Sequence, residues 1–420
     1  MSLQFEGSSR WPDDVAAVQR IKIAFLLKLG ELLQDSTSTP TITTHLGLEV
    51  QRNNLSNLAF LDLSYTDGFV FRLRIHHERE LRLLERVLAS ASSNEGREAT
   101  ASALSTYKRN FVQSPLHTQA VRTMCTRFPP LSPSIRLMKT WRDAHLLSSH
   151  VSDELIELLT IHSFVRPNPW AVPGSVLTGF LRTLTFISKW DWRSDPLIVD
   201  FGGEMELADY ATIQTRFEAW RKIDPAMNRI AVFAASNLDF EGISWTELGP
   251  TKVVATRLTC LARAACDVMK KQGLEVEAAA LFTPSFSDYD FVVHLNLDYV
   301  AKNTGNKKIK KSGYKNLQIE EQQDPFLALC HPVLSFLAEL RARYGSNVIF
   351  FYNESGGPVI GGMWNPRTGP RSWKVNAGYS TFPIEQYDEE MGQISINKAA
   401  TLHGIAKVGE DLVSMIEEKG

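Results

Sequence analysis

Apolar residues recur at helical spacing in Val15, Val18, Ile21, Phe25, Leu29 and Leu32, which predicts an amphipathic helix with one face turned to a core. Pro12 and the carboxylates of Asp13 and Asp14 suit its positively charged beginning. The period then falls to two. Extended segments are predicted at Thr41 to Thr44, Ala59 to Tyr65 and Phe69 to Ile75. In the last, Phe69, Phe71, Leu73 and Ile75 share one side and Val70, Arg72 and Arg74 the other, with Thr66-Asp67-Gly68 as the preceding hairpin turn. The beginning of the chain therefore reads as a helix packed on a small sheet.

From Ser90 to Ala103 the composition turns to Ser, Ala, Asn and Glu, which reads as a flexible link. Helices follow. Pro129, Pro130 and Pro133 set the start of one carrying Ile135, Met138, Trp141 and Leu146, and Ser152 is the expected N-cap of a second with Leu155, Leu158, Leu159 and Ile161 inside. A third, from about Val176 to Ser188, is apolar on most sides and is expected at the centre. Leu197 to Val199 and Ile230 to Phe233 read as short buried strands, and Thr251 to Lys271 as a closing helix. The final part is expected to hold strands at Ala280 to Pro284 and Asp290 to Leu297, a polar loop from Lys302 to Lys315, and a helix from Pro325 to Tyr344. A hairpin of Val348 to Tyr352 with Val359 to Trp364 is expected next, then a further strand at Lys374 to Thr381 and a terminal helix from Lys398 to Glu418. No solenoid repeat is visible.

A chain of 420 residues is too long for one ordinary core, so two or three domains are expected. Hydrophobic content of 44% and charged content of 22% are those of a folded protein. The net charge of −2 excludes a uniformly basic nucleic-acid binder, so any RNA contact must be local. The first residues have neither a basic nor an apolar signal region, and Lys28 stops the early apolar run, so neither secretion nor a membrane span is expected. Cys125, Cys260, Cys266 and Cys330 form no C-x-x-C pair and are expected as free, buried thiols in a reducing compartment.

Candidate chemistry is sparse. A nucleotidyltransferase needs a Gly-Ser turn for phosphates and paired strand carboxylates for metal ions. Gly7-Ser8 followed by Asp13-Asp14 has the residue types, but these aspartates stand at a helix start. Asp62, in Phe60-Leu-Asp-Leu63, has the apolar-Asp-apolar pattern without a partner. Asp200 before Gly202-Gly203 is ordinary turn chemistry. The histidines show no zinc-binding spacing, Gly356-Gly357 and Gly361-Gly362 lack the G-K-[ST] of a phosphate loop, and no G-x-S-x-G occurs. No catalytic residue, metal site, cofactor or small-molecule substrate is therefore expected.

Two basic features remain. Lys302 to Lys315 holds six lysines and no acid, and Lys307, Lys308, Lys310, Lys311 and Lys315 are candidates for contact with RNA or an acidic partner. Such runs are also commonly just solvated. Arg136, Lys139 and Arg142 are spaced to lie near one another on a helix and are candidates for the same contact, or simply keep an exposed face soluble.

Several stretches together resemble the C-terminal half of the Nrap family, the nucleolar RNA-associated proteins. They are Phe5-Glu-Gly-Ser-Ser-Arg-Trp-Pro12, Asp67-Gly-Phe-Val-Phe-Arg-Leu-Arg74, Arg136-Leu-Met-Lys-Thr-Trp141, Gly179-Phe-Leu-Arg182 with Trp190-Asp-Trp192 and Pro196, Trp245-Thr-Glu-Leu-Gly-Pro250, and Phe350-Phe-Tyr352 with Gly356-Gly357 and Trp364. The resemblance implies an α+β chain similar to class I CCA-adding enzymes. A degenerate nucleotidyltransferase-like α/β module is expected over residues 1–112. A mainly helical poly(A) polymerase/oligoadenylate synthetase-like module would follow over 113–273, and a C-terminal α+β domain over 274–420. It further implies a nucleolar scaffold of the small-subunit processome, acting in pre-rRNA processing. Its partners would be pre-rRNA, an RRM-containing processome protein and a casein-type kinase subcomplex, with no membrane. An active RNA nucleotidyltransferase and a purely protein-binding module are the alternatives.

Overall fold

The computed structural model describes residues 1–5, 11–36, 42–48, 55, 59–66, 69–298, 331–366, 371–372, 381–384 and 393–419. The chain divides into two compact units, the first built on Met1–Gln119 and the second on Ala120–Lys307 with His331–Gly420.

The first unit is a helix on a mixed sheet. Strands β1 (Ser2–Gln4), β2 (Ile42–Leu48), β3 (Ala59–Tyr65) and β4 (Val70–His76) are ordered β1-β4-β3-β2, with β1 parallel to β4 and the rest antiparallel. Helix α1 (Val15–Ser36) lays Leu26 on Leu46, Leu61, Leu63, Leu73 and Ile75. The pattern of two in β4 survives only at its end, because Phe69 and Phe71 are exposed while Leu73 and Ile75 are buried. Helix α2 (Glu78–Ser90) follows, opened by a capping box in which His77 Nδ1 accepts from Arg79 N–H and the Glu80 carboxylate accepts from His77 N–H. Glu80 also pairs with Lys22 of α1 and accepts from Gln19, with both members of the Lys22–Glu80 pair sealed from water.

The expected link at Ser90 to Ala103 is instead mostly helical: Ser90 ends α2, and from Asn94 the chain belongs to helix α3 (Asn94–Tyr107). Ser93 caps it, its Oγ accepting from Gly96 N–H, and Thr100, Ala103 and Tyr107 recur on its buried face. Small polar residues marked the N-cap rather than a linker. A π-helical turn, Lys108–Gln113, leads into α4 (Ser114–Arg127).

In the second unit, α5 (Leu131–Ala144), α6 (Asp153–Val165), α7 (Val176–Lys189) and α9 (Lys252–Gln272) enclose a core of Met138, Trp141, Leu155, Leu159, Phe180, Leu184 and Leu258. Ser152 Oγ accepts from Leu155 N–H, as its cap position predicts. At Gly179 the helices approach so closely that an added Cβ would lie 2.5 Å from Ser134 Oγ and 2.7 Å from the Phe164 ring. Strand β5 (Leu197–Val199) pairs in parallel with β6 (Ala234–Ser236), so the second short strand begins just after the expected Ile230 to Phe233. The crossover between them carries α8 (Leu207–Ile223), whose Arg221 donates to the carbonyls of Arg193, Trp192, Ile230 and Ala231.

Residues expected as a strand from Ala280 instead form the short helix α10 (Ala278–Phe282). The last sheet orders β7 (Phe291–Leu295), β8 (Val348–Phe351), β9 (Val359–Trp364) and β13 (Val413–Glu418) as β13-β7-β9-β8, all antiparallel. Gly362 lies opposite Phe291, whose ring fills the place of a Cβ at 2.2 Å. Helices α11 (Pro332–Tyr344) and α12 (Lys398–Gly409) contribute Leu337, Leu340 and Ile405 to the core under this sheet. The expected terminal helix is thus cut short after Gly409 and the chain returns as a strand, Ile416 pairing beside Val293. A separate small sheet joins β10 (Arg371–Ser372), β11 (Thr381–Ile384) and β12 (Gln393–Ile396). The loop Lys302 to Lys315, Cys330 and most of the strand expected at Lys374 to Thr381 lie outside the described residues.

Candidate functional site

The place to look for nucleotidyl transfer is the β3–β4 hairpin. Asp62 stands on β3 directly opposite Arg72 on β4. Arg72 Nε and Nη2 donate to the two carboxylate oxygens at 2.8 and 3.0 Å, and the guanidinium also lies over the Phe60 ring at 3.5 Å. This fork-to-fork pair uses both oxygens of Asp62 and keeps the carboxylate largely covered. Asp13 instead pairs with Arg79 at 2.7 Å, which holds its carboxyl below the ordinary value. Asp14 Oδ2 accepts from Ala17 N–H at 2.8 Å and so caps α1. Asp14 thus does what its position at a helix start predicts, whereas Asp13 is taken up by an arginine 66 residues away. Gly7 and Ser8 lie outside the described residues. Among the described residues no group of three His, Cys, Asp or Glu side chains is arranged to hold a metal ion.

The basic face of α5 splits into three fates. Arg136 is exposed. Lys139 bridges Asp153 at 2.9 Å and Glu157 at 2.7 Å, and these carboxylates raise its pKa against the opposing effect of burial. Arg142 is buried, donating to Asp153 at 2.6 Å and to the Val151 carbonyl at 2.9 Å, with Asp143 on its remaining side. Trp141 between them is fully buried core. Lys307, Lys308, Lys310, Lys311 and Lys315 fall outside the described residues.

Other aspartates serve turns. Asp200 accepts from Gly203, Glu204 and Met205 N–H groups, and Asp239 from Glu241, Gly242 and Ser244. The loop after α5 is committed to β8: Ser148 donates to the Tyr352 carbonyl and His150 Nε2 bonds the Phe350 carbonyl at 2.8 Å. Burial pushes the His150 pKa down to about 4, so it donates as the neutral imidazole. Cys125 and Cys266 are half-buried free thiols, whereas Cys260 is exposed, because its place on α9 faces an open groove rather than the core.

A cavity of about 540 Å³ that sequence spacing does not announce opens between the ends of α6 and α7 and the loop joining them. His162, Arg166, Trp170, Arg182, Lys189 and Trp190 line it. The one sequence signal was the pair Trp190 and Trp192 following Arg182 in the Gly179 to Trp192 motif.

Residues 1–126 match the Nrap protein nucleotidyltransferase domain 4, residues 128–284 the Nrap protein PAP/OAS1-like domain 5, and residues 286–416 Nrap protein domain 6. U3 small nucleolar RNA-associated protein 22 of Schizosaccharomyces pombe is 31% identical over 99% of this chain and 36% of its own length. The protein of the same name in Saccharomyces cerevisiae is 30% identical with the same coverage. Nucleolar protein 6 of Homo sapiens is 29% identical over 99% of this chain and 35% of its own length. The chain thus spans about a third of these relatives. A solved structure of the Cid1 poly(U) polymerase aligns with 68% of this chain and 80% of its own at 14% identity and a TM-score of 0.35, too distant to bear on any site. With three consecutive domain profiles matched in order, the chain belongs to the Nrap family.

Proposed function

We propose that this chain is a non-catalytic scaffold segment of the small-subunit processome, working in the nucleolus in pre-rRNA processing and small-subunit assembly through RNA and protein contacts. The names of its relatives support the setting. The Asp62–Arg72 pair carries the non-catalytic part. Two-metal transfer needs carboxylates free to hold cations beside the attacking hydroxyl. Here a guanidinium already occupies both oxygens of Asp62, and Asp13 and Asp14 are spent on Arg79 and a helix cap. The three-module division at 112/113 and 273/274 belongs to the same reading. So do contacts with pre-rRNA, an RRM-containing protein and a casein-type kinase subcomplex.

Incubating the pure chain with labelled nucleoside triphosphates, RNA and magnesium or manganese tests the first part. No extension is expected. Metal-dependent extension that disappears in Asp62→Asn would overturn the reading in favour of an active nucleotidyltransferase. RNA contact is tested by titrating the chain with single-stranded RNA against salt. Changing Lys307, Lys308, Lys310 and Lys311 to Ala is expected to flatten the salt dependence, and an unchanged slope removes these lysines from the contact.

A further inference from the structure

The cavity beside α6 and α7 combines three kinds of surface. Its floor is a column of rings: His162 lies on Phe186 at 4.2 Å, and Phe186 on Trp190 at 5.5 Å with planes only 16° apart. Trp190 is fixed in that plane because its Nε1–H donates to the Asp195 carbonyl at 3.0 Å. On the loop, Trp170 is 52% exposed, an unusual place for so large an apolar side chain. It is held up rather than left loose. Arg182 of α7 lies over the Trp170 ring at 5.4 Å and donates to the Ala171 carbonyl next door.

The third surface is cationic. Arg166 and Lys189 are exposed on the lining, and neither forms an ion pair among the described residues. Arg166 rests over the Tyr210 ring at 5.1 Å. Two acids, Asp191 and Asp195, also face the cavity. The Asp191 carboxylate accepts from Ser194 Oγ at 2.8 Å and Arg193 N–H at 3.3 Å and has the Arg193 guanidinium 3.9 Å away, so part of its charge is already balanced within its own turn. His162 adds no charge near neutrality, since burial and the nearby Arg166 bring its pKa down to about 4.

We propose that this cavity binds an unpaired nucleotide of single-stranded RNA, with the base stacked on the indoles of Trp170 and Trp190 and the flanking phosphates on Arg166 and Lys189. The inference rests on the RNA-contact reading above and gives it a location. Planar aromatic faces beside free cations are what a sequence-tolerant single-strand site requires. A volume of about 540 Å³ is also in the range of roughly 300–1,000 Å³ that takes a ligand of this size. An acidic peptide would use the cations but leave the ring column without a role. A paired base would leave both tryptophans unstacked, so the site selects single strands.

The experiment measures binding of a short fluorescent single-stranded RNA to the full chain, with Trp170→Ala, Trp170→Phe and the double variant Arg166→Ala, Lys189→Ala. Trp170 and the two cations are exposed, so each variant is expected to fold, which circular dichroism checks. Trp170→Ala is expected to weaken binding by roughly 5- to 100-fold and Trp170→Phe by much less. The double variant should lower the slope of log affinity against log salt by roughly 1.4, for two phosphate contacts on a single strand. If the unaltered chain binds RNA and these variants bind it equally well, the pocket assignment fails while the RNA reading stands. If the unaltered chain binds no RNA, both fail. Equal competition by duplex RNA, or photo-crosslinks from the pocket to a protein instead of RNA in assembled particles, would also overturn the assignment.

Discussion

The first unit seals both members of one ion pair from water, whereas in the ion pairs around α5 of the second unit at least one member still reaches water. Lys22 and Glu80 are 0% and 2% exposed, whereas Lys139 and Asp153 are 24% and 53% exposed. Burial works against the Lys22 ammonium and pushes its pKa down, with Glu80 opposing that shift. Taking two charges out of water costs several kcal/mol each, and Gln19 and the His77 amide offset part of that cost by also bonding the Glu80 carboxylate. Around α5 the arrangement is graded. Arg142 sits inside, Lys139 lies half-way, and Arg136 is outside, so water is available to replace partners in proportion to exposure. The same residue types thus carry different weight in the two units, and counting ion pairs would miss it.

Removing a partner from the buried pair should have the largest effect. Glu80→Ala is expected to destabilise the first unit by about 3–5 kcal/mol, while Lys22→Met with Glu80→Leu recovers most of that loss. Denaturant unfolding of both variants checks this, and a loss below about 1 kcal/mol for Glu80→Ala would dissolve the contrast between the units. Arg142→Ala leaves the Val151 carbonyl and two carboxylates short of a charged donor and should cost about 1.5–3 kcal/mol in the second unit. Lys139→Ala should cost about 1 kcal/mol or less, with the difference from the unaltered chain shrinking as salt is raised.

The second unit also carries a pH signature. His150 and His162 both have folded pKa values of about 4, below the ordinary value near 6.5. The unfolded chain therefore takes up protons first. The stabilising contribution is complete above about pH 6.5 and is lost as pH falls toward 4. Unfolding midpoints measured across that window should drop, and His150→Gln should flatten the decline by removing one of the contributing groups, among which is also His145, whose pKa burial lowers. The smallest effect is expected at Asp62→Asn, about 1 kcal/mol or less, because Arg72 is 46% exposed and water can take over from the carboxylate.

Local signals carried most of what could be read without coordinates. Ser152 as a cap, the start of α1 at Val15 and Val18 and the hairpin around Gly356-Gly357 each depend on residues within a turn or two of one another, whereas Phe25 and Leu32, expected on the inward face of α1, are exposed and Leu26 is buried instead. Ser93 was equally local but sat among Ser and Ala, so composition masked a capped helix whose buried positions Thr100, Ala103 and Tyr107 follow helical spacing. Strand β13 was not legible because Val413 to Glu418 extends a helical pattern, and only its partner β7, far back in the chain, decides otherwise. The lone appearance of Asp62 had the same origin. Its partner Arg72 becomes visible only when the register of the hairpin is known. The aromatic cavity draws on α6, a loop and α7, so no single window of sequence contains it.

The order β13-β7-β9-β8 has a consequence for how the chain is made. Strand β7 ends at Leu295, and the strand that covers its outer edge begins at Val413. At the ribosome's pace of about 5–20 residues per second, that edge waits roughly 6–24 s for its partner. Throughout that interval the hydrogen-bonding groups on the outer side of Phe291–Leu295 are an open template, guarded by a chaperone or by nothing. A substitution that weakens β13 would therefore show itself first in the yield of soluble chain during synthesis, before it shows in the stability of the finished fold.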